Sequence, residues 1–481
     1  MKIKLIPLMV VVCGILSLAS CLNDDSDFVY SDDTAITSFT LGKLNQVFHT
    51  KSSQGKDSTY RKSVDYSGHK FYIDQVKCEI YNPDSLPLGV DAKKVLCSIG
   101  SKNAGYVGIK SMTSDSLKYF NSTDSTDFSV PREFYVYSNS GVAYRKYTVR
   151  VNVHKENAED FVWKKMTTDN ALAGLVGMRA VALDGRLLVL GSNGSNTLVY
   201  ASEDGAAWTD ITSKIGAELS ADAYRSVVTS NGCAYVYDNG ALFKTSDGNA
   251  WVVAARTQLR QLVAASRFRL YAYDTDGRLV ESEDDGATWT LALTDATGDL
   301  LPDTDITYVC SPMSTNKSTD RVVLVGNRSV AEHPDDTVSM VWGKVDEGAD
   351  YSENQPWTYY DVSSDNKYKA PRLNNIQTVG YDNCILAVGG ESLGGAQHSA
   401  FDQFYRSADG GITWRKDSVV TVPGGIKVSP GSFAITVDKN SYIWLVCGGS
   451  GQVWRGRTNR LGWIKDCLLY TSPSPRDKRQ S

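Results

Sequence analysis

Along 147–153 apolar and polar residues alternate, with Tyr147, Val149, Val151 and Val153 on one side and charged or polar residues on the other. That period of two is the pattern of an antiparallel strand with one buried face. Strand-like runs at 36–41, 70–81, 94–99, 106–111, 132–138 and 143–153 are separated by turn chemistry such as Asn82-Pro83-Asp84 and Ser138-Asn139-Ser140-Gly141. Residues 35–154 are therefore expected to form an immunoglobulin-like β-sandwich, usable as a spacer. The polar stretch 155–160 reads as a linker.

Beyond it the pattern repeats: strand, Asx-Gly turn, strand, loop, strand, polar turn, strand. Residues 180–183, Asp184-Gly185, 186–190 and 197–201 show it plainly. Each repeat ends in a tryptophan, at Trp208, Trp251, Trp289, Trp357, Trp414 and Trp463, with spacings of roughly 40 to 70 residues, which suit four-stranded propeller blades. The chain is thus read as all-β, with a propeller over 161–466 of six blades, seven being the alternative. Residues 161–166 look like an outer strand with no blade before it, expected to complete the last blade and close the ring.

Four polar turns share one pattern: SEDGAAW with Ser202, Asp204 and Trp208; SDGNAW with Ser246, Asp247 and Trp251; SEDDGATW with Ser282, Asp284 and Trp289; SADGGITW with Ser407, Asp409 and Trp414. Ser and Asp side chains hydrogen-bond their own turn, Gly supplies a backbone conformation closed to other residues, and Trp buries a large ring. The pattern resembles the Asp-box of sialidase-like β-propellers. Nothing in it is catalytic, and a fold shared with sialidases does not import their activity.

Composition narrows the partners. A net charge of -5 over 481 residues offers no basic stripe, so no nucleic-acid partner is expected. Lys2 and Lys4 precede an apolar run, 5–18, that ends in Leu18-Ala19-Ser20-Cys21. That ending resembles a bacterial lipobox, which implies a signal peptide over 1–20, lipid on Cys21 and a membrane partner reached through that lipid. The acidic tether at 21–34 is similar to that of many Bacteroidetes surface lipoproteins, implying an outer-membrane address facing the cell exterior. Of the nine cysteines, Cys13 leaves with the signal; Cys78 and Cys97 share strand phase with apolar neighbours, as a disulfide or as two small core residues. No C-x-x-C or His-rich spacing is present, so neither a metal nor another cofactor is expected. The tail 467–481 resembles translated sequencing adapter and is set apart as non-native.

Tether, sandwich and propeller together resemble a family of Bacteroidetes surface lipoproteins of unknown function. The resemblance rests on Tyr30-Ser31-Asp32-Asp33, on Ile80-Tyr81-Asn82-Pro83-Asp84-Ser85-Leu86-Pro87 and on the four boxes. It implies a fold and an address, and no reaction.

In propellers of this kind the boxes occupy one face and ligands meet the other. Two long loops there, 326–337 with Glu332, His333, Asp335 and Asp336, and 389–402 with Glu391, His398 and Asp402, belong to consecutive repeats and are expected to be neighbours. The crossing 363–372 adds Tyr368 and Arg372. Arg179, Arg225 and Arg260 each precede an apolar innermost strand in one register, so their guanidinium groups are expected at the channel mouth, where bidentate donors suit a carboxylate or sulfate. This resembles the arginine triad of sialidases, but their Arg-Ile-Pro motif is missing. The expected function is binding of an anionic glycan or a protein partner without catalysis. The alternative is an exo-acting glycoside hydrolase or lyase, using two facing carboxylates from the long loops.

Overall fold

A computed structural model describes residues 30–51, 56–348, 354–360 and 365–463. The lipobox with Cys21 and the tail 467–481 lie outside the described residues. The chain divides into two compact units between Ala158 and Glu159.

The N-terminal unit centres on a six-stranded sheet in the order Tyr72–Asp74, Glu79–Tyr81, Tyr144–Arg150, Arg132–Tyr137, Val107–Lys110, Leu117–Tyr119. Neighbours are antiparallel except Tyr144–Arg150, which runs parallel to Glu79–Tyr81. Alternation sends Phe134, Val136, Tyr147 and Val149 inward, all fully buried, against Phe39 and Leu41 of the pair formed by Ile36–Leu41 and Cys97–Ser101. Asn82 is buried as well. Its amide donates to the carbonyls of Asp84 (2.9 Å) and Asn152 (2.8 Å), and its Oδ1 accepts from the Asn152 backbone N–H at 2.6 Å. The Asn-Pro-Asp turn is therefore pinned to the chain leaving the sheet.

Two sequence expectations are corrected in this unit, and the choice left open for Cys78 and Cys97 falls to core residues. The run 70–81 is not one strand but a hairpin, because the Asp74 carboxylate accepts from the N–H groups of Val76 and Lys77, and Cys78 takes a positive φ of 55°. Val76 is consequently thrown into solvent. Cys78 and Cys97 are both free thiols, and burial raises the Cys97 pKa to about 12. A long hairpin, Lys43–Lys51 with Asp57–Asp65, is present where no strand was expected; its second strand is almost wholly exposed, so it carries no buried alternation to read.

The second unit, Glu159–Trp463, contains six four-stranded antiparallel sheets among the described residues. The innermost strands are Gly177–Leu183, Val227–Ser230, Gln261–Ala265, Thr304–Met313, Gln377–Tyr381 and Phe433–Val437. In five sheets the four strands are consecutive in the chain. The last takes its outer strand from the start of the unit, Phe161–Thr168, paired antiparallel with Gln452–Thr458. The first and last sheets also share a core: Leu187, Val189 and Tyr200 pack with Ala434, Trp444 and Val446, and Ser432 Oγ donates to the Leu175 carbonyl at 2.6 Å. First and last repeats are thus joined by both backbone pairing and side-chain packing.

Candidate functional site

The four polar turns are built alike, and they mark one end of the unit. In each, one hydroxyl accepts from the Gly N–H: Ser202 from Gly205 (2.8 Å), Ser282 from Gly286 (2.9 Å), Ser407 from Gly411 (2.8 Å). The Asp carboxylate accepts from two N–H groups beyond it at Asp204 and Asp247, and from one Thr N–H and that Thr hydroxyl at Asp284 and Asp409. In the second turn the hydroxyl belongs to Thr245, not to Ser246. Thr245 Oγ1 accepts from Gly248 N–H at 2.9 Å, whereas Ser246 is exposed. The alignment from sequence was one residue late, because Thr245 ends its strand where Ser202, Ser282 and Ser407 end theirs. The glycines need their positive φ and their missing side chain: a Cβ on Gly205 would meet Trp444 at 2.0 Å, one on Gly248 would meet Leu188 at 2.7 Å and one on Gly286 would meet Leu242 at 2.4 Å, each time on the preceding sheet. Trp414 is buried and donates to Gly411 O at 2.8 Å, while Trp208, Trp251 and Trp289 are only half-buried.

First and third strands of each sheet run parallel to each other. The turns follow third strands, so they lie at the opposite end from where the innermost strands begin. At that beginning, a cavity of about 180 Å³ is lined by Arg179, Tyr224, Arg225, Gln261, Asp303, Asp305, Asn374 and Asn375. It opens onto a cavity of about 300 Å³ enclosed by all six innermost strands, with Val181, Val228, Val263, Tyr308, Val379 and Ile435 each contributed by a different one.

Arg179 and Arg225 stand together at this mouth. Arg179 Nη1 donates across it to Asn375 Oδ1 at 2.5 Å and to the Met178 carbonyl at 3.2 Å. Burial within the ring lowers the Arg179 pKa to about 10, Arg225 adds to the fall, and Tyr224 and Asp305 oppose it. At neutral pH the group remains a cation. Arg225 donates through Nε to Tyr224 Oη (3.1 Å) and lies 3.3 Å from Asp222. Among the described residues nothing accepts from its two Nη groups.

The other sequence candidates are placed elsewhere. Arg260 does not line the mouth. Its successor Gln261 does, and because side chains alternate along a strand, Arg260 is turned outward, with Nη1 beside Gly277. Arg372, expected as a ligand group, is fully buried and donates to the carbonyls of His333 (3.0 Å), Asp336 (2.5 Å) and Arg328 (2.8 Å). It is a pin for the first long loop. Tyr368 lies with the fifth-sheet turn, at the far end from the mouth: its carbonyl accepts from Trp414 N–H (2.8 Å), and Arg415 stacks on its ring at 4.1 Å.

The two long loops do meet. Gly394, at a φ of +56°, lies so close to Arg372 and the Pro334 carbonyl that a Cβ would come within 2.6 Å of both. His398 Nδ1 is hydrogen-bonded to Tyr405 Oη at 2.8 Å, and the Glu391 side chain is exposed while its carbonyl accepts from Asn374. Asp336 is held bidentately by Arg328, at 2.9 and 2.8 Å. No cluster of metal-ligating side chains occurs among the described residues. Sequence reasoning missed Asp303, Asp305, Gln261 and Asn375; all lie within the four residues before an innermost strand or at its start, as Arg179 and Arg225 do.

The geometry defines an all-β protein of two units, the second a β-propeller. Residues 157–466 match the model described as the DUF6242 beta propeller domain, and 39–151 match the DUF6242 N-terminal domain of unknown function, so the chain belongs to the DUF6242 family. No curated protein matches it in sequence. Solved structures similar to it include YCF48 from Cyanidioschyzon merolae, at 15% identity over 61% of this chain and 98% of that one with a TM-score of 0.31. Trypanosoma rangeli sialidase with the inhibitor DANA gives 12% identity over 60% of this chain and 56% of that one, with a TM-score of 0.33. A Trichoderma reesei carbohydrate-active enzyme of family AA12 gives 13% over 63% and 96%, with 0.35.

Proposed function

We propose that this protein is a surface lipoprotein whose six sheets are the blades of one Asp-box propeller, and that the mouth of its central channel binds an anionic group without catalysis. The observation that carries the reading is the convergence of Arg179 and Arg225, from adjacent sheets, on one polar cavity. Asp222 and Asp305 offset part of the repulsion between these two partly desolvated cations, and a bound anion would offset more. The second amide N–H groups of Gln261 and Asn375, whose first donate to the Arg225 and Gly431 carbonyls, add donors for the hydroxyls of a glycan. In this reading the N-terminal unit is an immunoglobulin-like spacer, supported by its six-stranded sheet packed against a second strand pair. Lipid on Cys21 holds the protein at the outer membrane, facing outward; Cys21→Ala is expected to remove all acyl chains by mass spectrometry.

Binding is tested with acidic and neutral glycans on an array, then by calorimetry. Replacing Arg179 or Arg225 with Gln is expected to weaken an acidic hit by about 1.5 to 3 kcal/mol per lost charge-assisted bond, and added salt to weaken it further. Unchanged affinity in both variants refutes the site. One observation favours the hydrolase alternative: Asp303 and Asp305 line the same cavity, and Asp303 Oδ1 is buried with no hydrogen-bond partner among the described residues. Product release from a bound glycan, abolished in Asp303→Asn, would decide for it.

A further inference from the structure

The outward turn of Arg260 opens a second feature beside the mouth. A recess of about 520 Å³ between the second and third sheets is lined by Arg225, Arg260, Gln258, Gln261, Asn239 and Asp238, among others. It shares Arg225 and Gln261 with the mouth, so the two cavities adjoin across those side chains. Asp238, the buried acid of the recess, is already occupied: it accepts from the Ser220 backbone N–H at 2.9 Å, from the Ser220 hydroxyl and from Asn239. Asp222 faces Arg225. The Arg260 guanidinium, by contrast, has no acceptor among the described residues. Three arginines therefore line two adjoining cavities, together with Asp303 and Asp305 in the mouth and Asp222 and Asp238 in the recess, and the open donors belong to Arg225 and Arg260.

We propose that mouth and recess form a single groove for an oligosaccharide carrying more than one carboxylate or sulfate, one anionic group meeting Arg179 and Arg225 and the next meeting Arg260. This rests on the reading of the mouth given above and adds a class of ligand to it. A polyanionic glycan is favoured over an acidic peptide because the lining between the cations is made of side-chain amides and turn backbone, which hydrogen-bond hydroxyls, and offers little apolar surface for peptide side chains. A lone terminal acid would use the mouth and leave Arg260 idle. A chain with repeated charges uses both.

The test is calorimetric titration of the full processed chain with galacturonic acid and its tetramer, a sulfated disaccharide and tetrasaccharide pair, and a hexaglutamate peptide. The expected result is a tetrasaccharide at least tenfold tighter than its shorter counterpart, in the carboxylated series, the sulfated series or both, which identifies the anion. Arg260→Gln should remove about tenfold from the tetrasaccharide and less than twofold from the monosaccharide, with an unchanged melting temperature because the residue is exposed. Arg179→Gln should weaken every length. If chain length and Arg260→Gln have no effect while Arg179→Gln still does, the groove is refuted and the mouth stands. If Arg179→Gln has no effect either, the mouth itself is refuted. Hexaglutamate binding as tightly as the tetrasaccharides, with the same dependence on Arg260, would overturn the assignment to glycans.

Discussion

Thr245 and Ser246 are adjacent hydroxyl residues with opposite fates, and replacing each separates a local role from composition. Thr245 is 2% exposed, and its Oγ1 accepts from the buried Gly248 N–H at 2.9 Å. Thr245→Val keeps the shape and strands that N–H, at a cost of about 1 to 3 kcal/mol. Thr245→Ala also removes a buried methyl, worth about 0.8 kcal/mol more. Thr245→Ser keeps the bond and loses only the methyl. Ser246 is exposed, and Ser246→Ala should stay within about 0.5 kcal/mol of the parent. Urea unfolding of the full chain, followed by a probe in the propeller, should rank the variants Ser246→Ala, Thr245→Ser, Thr245→Val, Thr245→Ala in rising cost. A Ser246→Ala protein as unstable as Thr245→Val would show that the hydroxyl closing this turn is the one after the strand, and would refute the alignment of the four turns.

Asn82→Ala should cost about 1 to 3 kcal/mol, because it leaves the partly buried Asn152 N–H without its acceptor, while the Asp84 and Asn152 carbonyls keep the His69 ring and the Leu86 N–H as donors; calorimetry should assign the loss to the N-terminal unit alone. Arg372→Met should destabilise the propeller by about 3 kcal/mol and raise hydrogen exchange in 328–337, whose carbonyls it holds; unchanged exchange there would count against the pin. The Thr288 hydroxyl, then its N–H, hold the Asp284 carboxyl down to about 2, below its ordinary 3.8. A depressed folded-state pKa contributes stability above the unfolded value that is lost as pH falls, so the parent should lose stability between about pH 4 and 2, and Thr288→Val should show a shallower loss over that window.

The propeller was legible because its repeating unit is closed by residues with narrow geometric meaning. Gly in a left-handed turn against the preceding sheet, Asp beside it and Trp after it leave a mark that survives a change of spacing. The polar hairpin Lys43–Lys51 with Asp57–Asp65 left no such mark. Its second strand is held by backbone pairing with little burial, and in the first only Leu44 and Gln46 are buried among the described residues; a period of two is visible only when one face is buried along the strand. The same reasoning explains 70–81, where the alternation continued on paper through Val76 and Cys78 while Asp74 was already turning the chain.

The site was less legible, for a reason that the three arginines make concrete. Counting back from an apolar strand fixes how far along the sheet a residue sits, and by that count Arg179, Arg225 and Arg260 are equivalent. It does not fix which way the side chain leaves the backbone. Arg179 lies within its strand, Arg225 ends a helical turn before its own, and Arg260 directly precedes Gln261, which takes the inward direction. A slip of one position moves a cation from the channel mouth to the recess beside it. Arg372 shows the other blind spot: a guanidinium in a long loop reads as a ligand donor, yet three backbone carbonyls of a neighbouring loop can take its hydrogen bonds and bury it entirely. The residues that remain free to bind are those whose donors the fold does not consume, and only the hydrogen-bond accounting of the folded chain separates Arg225 and Arg260 from Arg372.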